Sequence, residues 1–484
     1  MKKVLIFVVA VIIGLFISLI IVSETKHSRQ IEPIEKVVIP DILSGFEDRL
    51  SAAVQIRTIS YEDVQLNDTV AFIAFHQFLH NHFPLVHERM HLIKINRFGL
   101  LYVLEGSNPD LRPAMFLAHQ DVVPIPDSSV WKHPPFSGHN DGAFIWGRGT
   151  IDDKGSLLSI LEAAELFLQN NGQPQRSLIL AFGFDEEING EFGAKAISGY
   201  LEEEGIRPEF ILDEGLVLTH GVVPMIEKQV GLIGIAEKGY LTLRLVTEMD
   251  GGHSSMPDEE NSLSVLAAAI TKLNENSFDA HWCEPVMLFM DYLGPEMDFF
   301  PRLAFNNRWF FSPIIKQVYL SFAEGRASLR TTTAPTIFRS GVKDNVIPQT
   351  SEALVNFRIL PGETIENVVV QVKKIINDDR VAIFIYGQPF APPAPSPISG
   401  IGFETIMQSI TAQYENAIAV PYLTLGGSDA KHYYNICDNI YRFAPYEMTG
   451  EDMSMIHGAN EKISIANYRR MIEFYYRMIY MVCN

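Results

Sequence analysis

Ser177-Leu178-Ile179-Leu180-Ala181-Phe182-Gly183-Phe184-Asp185-Glu186-Glu187 is an apolar run that ends abruptly in three consecutive acids. It is too short for a buried helix and is bounded by polar residues, so it reads as a strand covered on both faces. Upstream, residues 157–168 repeat apolar side chains at helical spacing, and 114–118 form another short apolar run. Downstream, 210–212 form a third. Strand and helix patterns in alternation predict an α/β domain on a largely parallel sheet. Such sheets place their ligands beyond the carboxyl ends of the strands, which is where the acids fall.

From residue 237 the texture changes. Residues 240–247 and 351–359 alternate like half-exposed strands, and 262–273 have helical spacing. This predicts a small α+β insert, with the aromatic stretch 282–322 inside it. After Ala391-Pro392-Pro393-Ala394-Pro395 the α/β pattern returns. The expected organisation is a catalytic domain in two parts, 43–236 and 387–484, split by an insert over 237–386.

A chain of 484 residues exceeds one ordinary core, and 47% apolar with 20% charged residues is globular composition. A formal charge of -20 argues against a nucleic-acid partner. The cysteines, Cys283, Cys437 and Cys483, lack CxxC spacing, so any metal must sit on His and carboxylate. Residues 4–22 are apolar and uncharged behind Lys2 and Lys3, long enough to cross a bilayer. Segment 1–24 is therefore expected to be a signal anchor, or else a cleaved signal peptide, and 25–42 a polar tether. With the lysines inside, the remaining chain lies on the extracytoplasmic side, or is secreted if the segment is removed.

Four further segments carry chemistry. His119-Gln120-Asp121 follows the 114–118 run, and a carboxylate two residues on can accept the second imidazole N–H. Alone, such a His reads as a solvated or core-satisfied residue rather than a ligand. Gly147-Arg148-Gly149-Thr150-Ile151-Asp152-Asp153 delivers two acids before a helix, where an N-cap is the plain alternative. Asp213-Glu214 follows the 210–212 run, and His457-Gly458-Ala459-Asn460-Glu461 adds a second His. Chance does not readily put so many acid and His segments at strand ends in one chain.

Together these segments resemble the signature set of the co-catalytic zinc metallopeptidases of family 20, which include aminoacylase, carboxypeptidase S and glutamate carboxypeptidase. The resemblance runs from about Phe46 to the C-terminus, and Gly251-Gly252-His253-Ser254-Ser255-Met256-Pro257 and Gly341-Val342-Lys343-Asp344-Asn345-Val346-Ile347-Pro348 match the family's insert. It implies a phosphorylase/hydrolase-like zinc exopeptidase domain with an inserted ferredoxin-like lid or dimerisation domain, and hence a possible homodimer.

The resemblance also implies roles. Asp152 would bridge two Zn²⁺ ions, His119 and Asp213 completing one and Glu187 and His457 the other. Glu186 would be the general base, with Asp121 orienting His119. The charge of two zinc ions then matches that of Asp152, Glu187, Asp213 and one hydroxide. Co²⁺ or Mn²⁺ would suit the same donors. His253 would stabilise the oxyanion, often from a partner subunit. Asn345, Arg358 and Gly427 would bind substrate, Gly427 within Gly426-Gly427-Ser428-Asp429-Ala430-Lys431-His432-Tyr433. His432 is the rival metal ligand to His457.

Arg330-Thr331-Thr332-Thr333-Ala334-Pro335-Thr336-Ile337-Phe338 and Val355-Asn356-Phe357-Arg358 are most similar to members that make and hydrolyse N-fatty-acyl amino acids, and to carboxypeptidase S-like members. The expected substrate is an N-acyl amino acid or a short peptide, and residues 282–322 are a candidate acyl groove as well as ordinary helix packing. A catalytically silent carrier of lipidated amino acids is the reading from another class.

Overall fold

The structure, a computed structural model, describes residues 1–31, 37–170, 172–450 and 452–483. Its main strands are β1 (His91–Ile95), β2 (Gly99–Leu104), β3 (Ala114–His119), β4 (Leu178–Gly183), β5 (Phe210–Thr219), β6 (Val230–Glu237), β7 (Gly239–Glu248), β8 (Thr332–Ser340), β9 (Thr350–Ile359), β10 (Val381–Phe390), β11 (Ile418–Thr424) and β12 (Ile440–Met448). Eight of them make one sheet in the order β1-β2-β4-β3-β5-β12-β6-β11. Its centre is parallel, through β4–β3, β3–β5 and β5–β12, whereas β1–β2 and β2–β4 are antiparallel.

Strand β4 shows why an uninterrupted apolar run was needed. Successive side chains point to opposite faces, so Leu178, Leu180 and Phe182 enter a core with the helices Lys154–Gln169 and Ile465–Cys483. Ile179 and Ala181 enter a second core, on the other face, with Ile197 and Leu201 of the helix Ala194–Glu203. Covered on both faces, the sheet leaves its strand ends as the open place for polar groups.

The insert is a separate antiparallel sheet in the order β8-β9-β7-β10. Leu241, Leu243, Leu245, Val355 and Phe357 face the helices Ser262–Glu275 and Ile365–Ile376 and form a core of their own. Asn261 caps the first helix through a reciprocal capping box with Ser264. The insert sheet extends to Phe390 rather than to 386.

The aromatic stretch expected inside the insert packs elsewhere. Val286, Phe289, Met290, Ile315 and Tyr319, on the helices Glu284–Leu293 and Arg308–Leu320, join the main core, and Phe289 meets Tyr422 of β11 at a ring separation of 4.8 Å. Helical spacing marked this segment as amphipathic without saying which sheet its apolar face would meet.

Lys2–Glu24 is a single apolar helix, long enough to cross a membrane by length and composition and exposed along most of its surface. Part of the expected tether, 32–36, lies outside the described residues. The part before it is held on the body: Gln30 Oε1 accepts from Ala419 N at 2.8 Å, Gln30 Nε2 donates to Ala419 O at 3.1 Å, and Arg29 stacks over Tyr292.

Leu245 is wholly buried in the insert core. Leu245→Ala is expected to cost about 2–5 kcal/mol, read as faster amide hydrogen exchange in 241–245 and 353–357 while the main sheet keeps its protection.

Candidate active site

Three strand ends and two loops build the site. His119 is the last residue of β3, and the β4 chain turns into Asp185-Glu186-Glu187 immediately beyond it. Leu212 is the last β5 residue paired with β3, so the next two, Asp213 and Glu214, stand where β5 runs past its neighbour. Asp152 precedes the helix Lys154–Gln169, and the peptide bond from Asp152 to Asp153 is cis.

Asp152 is the meeting point. Its Oδ1 lies 3.0 Å from His119 Nε2, and its Oδ2 lies 3.1 Å from His457 Nε2. His457 Nε2 is also 3.1 Å from Glu187 Oε2, and His119 Nε2 is 3.7 Å from Glu214 Oε1. Two donor groups therefore share one carboxylate: His119, Asp152 and Glu214, and Asp152, Glu187 and His457.

Asp213 is not among them. Its Oδ2 accepts from Ala430 N at 2.8 Å, whereas Glu214 turns toward His119. Neighbouring strand residues face opposite ways, so only one of two adjacent acids can reach the cluster, and that one is Glu214. Asp213 instead fixes the 426–433 loop. His432 also stands apart, its Nε2 2.6 Å from the carbonyl of Asn189.

Asp121 organises the cluster from behind. It accepts from Ser60 Oγ at 2.6 Å and from the backbone N–H groups of Glu186 and Glu187 at 3.2 Å each. His119 Nδ1 lies 3.0 Å from the Asp121 carbonyl oxygen and 3.4 Å from its carboxylate, so the backbone oxygen is the closer partner. That bond presents Nε2 to Asp152.

Two groups not foreseen lock the loops together. Glu461 accepts from the N–H groups of Gly149, Ile151 and Asp152 at 3.0, 2.8 and 3.2 Å. Arg148 pairs with Glu461 at 2.6 Å and donates to Gly458 O at 2.8 Å. The Asp152 loop and the His457 loop are thereby held as one unit. Both residues stand inside the quoted motifs, but their mutual pairing across the chain has no local signature.

The donors fit divalent cations. Burial and then the neighbouring Asp152 push Glu214 up to about 7. Burial likewise raises Glu187 and Glu186. Burial opposes charge on His119, but Asp121, Asp152 and Glu214 outweigh it and raise its pKa; Asp152 and Glu187 raise His457 to about 10. A cluster that draws protons onto both imidazoles is a cluster short of positive charge. Among the described residues Glu187 Oε1, though buried, has no hydrogen-bond partner, which suits an oxygen that can serve as a metal ligand. The donors are all N and O, which suits zinc when no thiolate is near.

Arg358 of β9 and Gly427 come together across the two domains. A Cβ placed on Gly427 would lie 3.9 Å from Arg358 Nη1. Arg358 stacks 4.9 Å over Tyr240 and makes no ion pair among the described residues. Its neighbour Glu237 is taken by the buried Arg442, at 2.7 Å. His253 and Asn345 are adjacent on a short ribbon, Gly252–His253 against Val346–Ile347, with Ser254 N donating to Asn345 O at 3.3 Å. Both are exposed, and His253 Nδ1 is engaged by Ser255. Among the described residues neither bonds to the Asp152 cluster.

Over residues 115–481 the sequence matches the peptidase family M20/M25/M40. The chain belongs to this family. It is 38% identical over 480 residues to the probable carboxypeptidase S-like protein 2 of Dictyostelium discoideum, covering 97% of this chain and 92% of that one. It is 35% identical over 477 residues to the N-fatty-acyl-amino acid synthase/hydrolase PM20D1 of Bos taurus, covering 96% and 94%. Among solved structures, the M20 family metallo-carboxypeptidase Sso-CP2 of Sulfolobus solfataricus superposes with a TM-score of 0.68 at 18% identity, covering 91% and 99%, a likeness of fold. As an M20 family member the chain is a metal-dependent hydrolase of the metallopeptidase and amidohydrolase class.

Arg148→Met strands the buried Glu461 carboxylate, and a loss on the order of 3–5 kcal/mol is expected. Denaturant unfolding of the variant beside Arg380→Met, which breaks exposed pairs with Glu260 and Asp378 and should leave stability nearly unchanged, measures the difference.

Proposed function

We propose that the chain hydrolyses N-acyl amino acids, or the C-terminal peptide bond of short hydrophobic peptides, with two zinc ions that Asp152 and its neighbouring donors would hold. His119 and Glu214 would hold one ion, Glu187 and His457 the other; cobalt or manganese fits the same donors. The observation that carries this reading is the division of the Asp152 carboxylate, one oxygen directed to each imidazole. Substrate class follows from the likeness to carboxypeptidase S-like and N-fatty-acyl-amino acid-processing relatives.

When bound, the ions supply Lewis acidity and bring the pKa of a water toward about 7. Glu186, beside Glu187 and carried by the same turn, takes the water's proton and returns it to the leaving amine nitrogen. Asp121 holds this turn through its two N–H groups and so sets the base's position. Arg358, half-buried and without an ion-pair partner among the described residues, grips the carboxylate of the substrate's amino acid, and its planar fork suits that ion. Gly427 leaves the substrate room beside it. His253 and Asn345, exposed on the insert, complete the site of a second copy in a homodimer, where His253 stabilises the oxyanion and Asn345 binds substrate. The same catalyst runs condensation when amine and fatty acid are abundant.

The helix Lys2–Glu24 anchors the protein, and Lys2 and Lys3 keep its amino end cytoplasmic, leaving the catalytic residues on the far side.

Glu186→Ala is expected to keep its metal by elemental analysis and to lose about 10²–10⁴-fold in turnover, with amino-acid release from a panel of fatty-acyl amino acids and hydrophobic dipeptides followed by mass spectrometry. Metal-loaded wild-type protein that released nothing from the whole panel would overturn the proposal. Arg358→Ala should raise KM far more than it lowers kcat, and a KM unchanged for substrates with a free carboxylate would remove Arg358 from that role.

A further inference from the structure

We propose that the helices Phe299–Asn306 and Arg308–Leu320 form a docking face that lies on the lipid surface beside the anchor. The inference rests on reading Lys2–Glu24 as spanning a bilayer. One side of the helix pair is core: Leu303, Phe305, Ile315 and Tyr319 are buried. The other side shows Phe300 at 77% exposure, Trp309 at 64%, Phe310 at 43%, Ile314 at 62% and Val318 at 48%. Phe310, Ile314 and Val318 recur every four residues and so line one helical stripe. A contiguous exposed apolar face needs a partner.

What covers it is indicated by where it sits. Asn307 Nδ2 donates to Leu19 O at 2.9 Å, Asn306 Nδ2 donates to Ser23 O at 3.2 Å, and Arg302 pairs with Glu24 at 2.9 Å. The face thus begins at the last turn of the apolar helix, the level at which a spanning helix leaves the hydrocarbon. Asn306 and Asn307 satisfy carbonyls near the carboxyl end of that helix, and the Arg302–Glu24 pair marks the polar boundary. Beyond it, Arg29 and Gln30 fasten the following segment to Tyr292 and Ala419, so anchor and face are held together.

Charge permits the same partner. Residues 299–320 carry Arg302, Arg308 and Lys316 and no acid, within a chain of net charge -20. Arg302 is paired with Glu24, Arg308 with Asp291 at 2.8 Å, and Lys316 is bonded to the Ala280 carbonyl, so the aromatic helix pair is close to neutral and escapes the repulsion that the acidic rest of the surface meets at anionic headgroups. Trp309, apolar in body and polar at its N–H, suits the interfacial layer. The face also adjoins the substrate region: Trp282 Nε1 donates to Ser312 Oγ at 2.8 Å, and the next helix packs on β11, which runs into the Gly426-Gly427 loop. A bilayer-dissolved acyl chain would therefore be presented on the side of the molecule that carries this loop.

The test uses the full chain reconstituted into phosphatidylcholine–phosphatidylserine vesicles, with and without bromine on the acyl carbons nearest the headgroup. Flotation and tryptophan emission are read on the same samples. The expected result is flotation, with emission lower in brominated vesicles. Trp309→Phe should remove that loss, and Phe300→Trp added to Trp309→Phe should restore it. Flotation with emission that bromine leaves unchanged, or a loss that persists in Trp309→Phe, overturns the docking face and leaves the anchor standing. Failure to float overturns the anchor and the face together. Disulfide formation between two copies of a Trp309→Cys variant, without bromine quenching in wild type, assigns the face to self-association and also overturns the proposal.

Discussion

A single carboxylate, Asp152, stands between two imidazoles, and the architecture around it serves to keep it there. Acids and His residues gathered beneath a protein surface repel, dehydrate and attract protons, and they stay assembled only if cations neutralise them or a rigid frame forbids their escape. The frame is visible in the protein itself. Parallel strands covered on both faces end in register at His119 and Gly183, Asp121 ties the Glu186-Glu187 turn to that edge, and the Arg148–Glu461 pair clamps the Asp152 and His457 loops. Each contact removes a way for the cluster to relax apart.

Distance along the chain explains how this frame is divided. His119, Asp152 and Glu187 arrive from one contiguous half, whereas His457 and Glu461 return only after the insert has been made. The site is therefore complete only when the long-range strands β11 and β12 have joined the sheet, and contacts of such separation form against a substantial loss of chain entropy. Three N–H groups converging on Glu461 offset part of that loss at the point where the two halves meet.

Much of this was legible in the sequence because it is local. The uninterrupted apolar content of β4 followed from burial on two faces, and the acids after it from the polarity of a strand end. Two adjacent acids on one strand, Asp213 and Glu214, were not resolvable in the same way. Both are polar and both follow the same apolar run, and which one points to the cluster depends on the strand's phase relative to β3, a tertiary fact. Likewise, the amphipathic helices in 282–322 declared an apolar side without declaring its destination, and β11 rather than the insert sheet received it. The pairing of Arg148 with Glu461 spans more than three hundred residues and leaves no periodic trace.

Between β6 and β7 stands one residue, Lys238, its ammonium bonded to the carbonyls of Ala327 and Arg330. The two sheets consequently share a nearly continuous strand, with β6 contributing Glu237 to one domain and β7 contributing Tyr240 to the other. Arg358 rides with β7, while Gly427 belongs to the sheet of β6. A swing of the insert about this short pivot would change the gap between guanidinium and loop, so the spacing of Arg358 and Gly427 is tied to the angle between the two sheets.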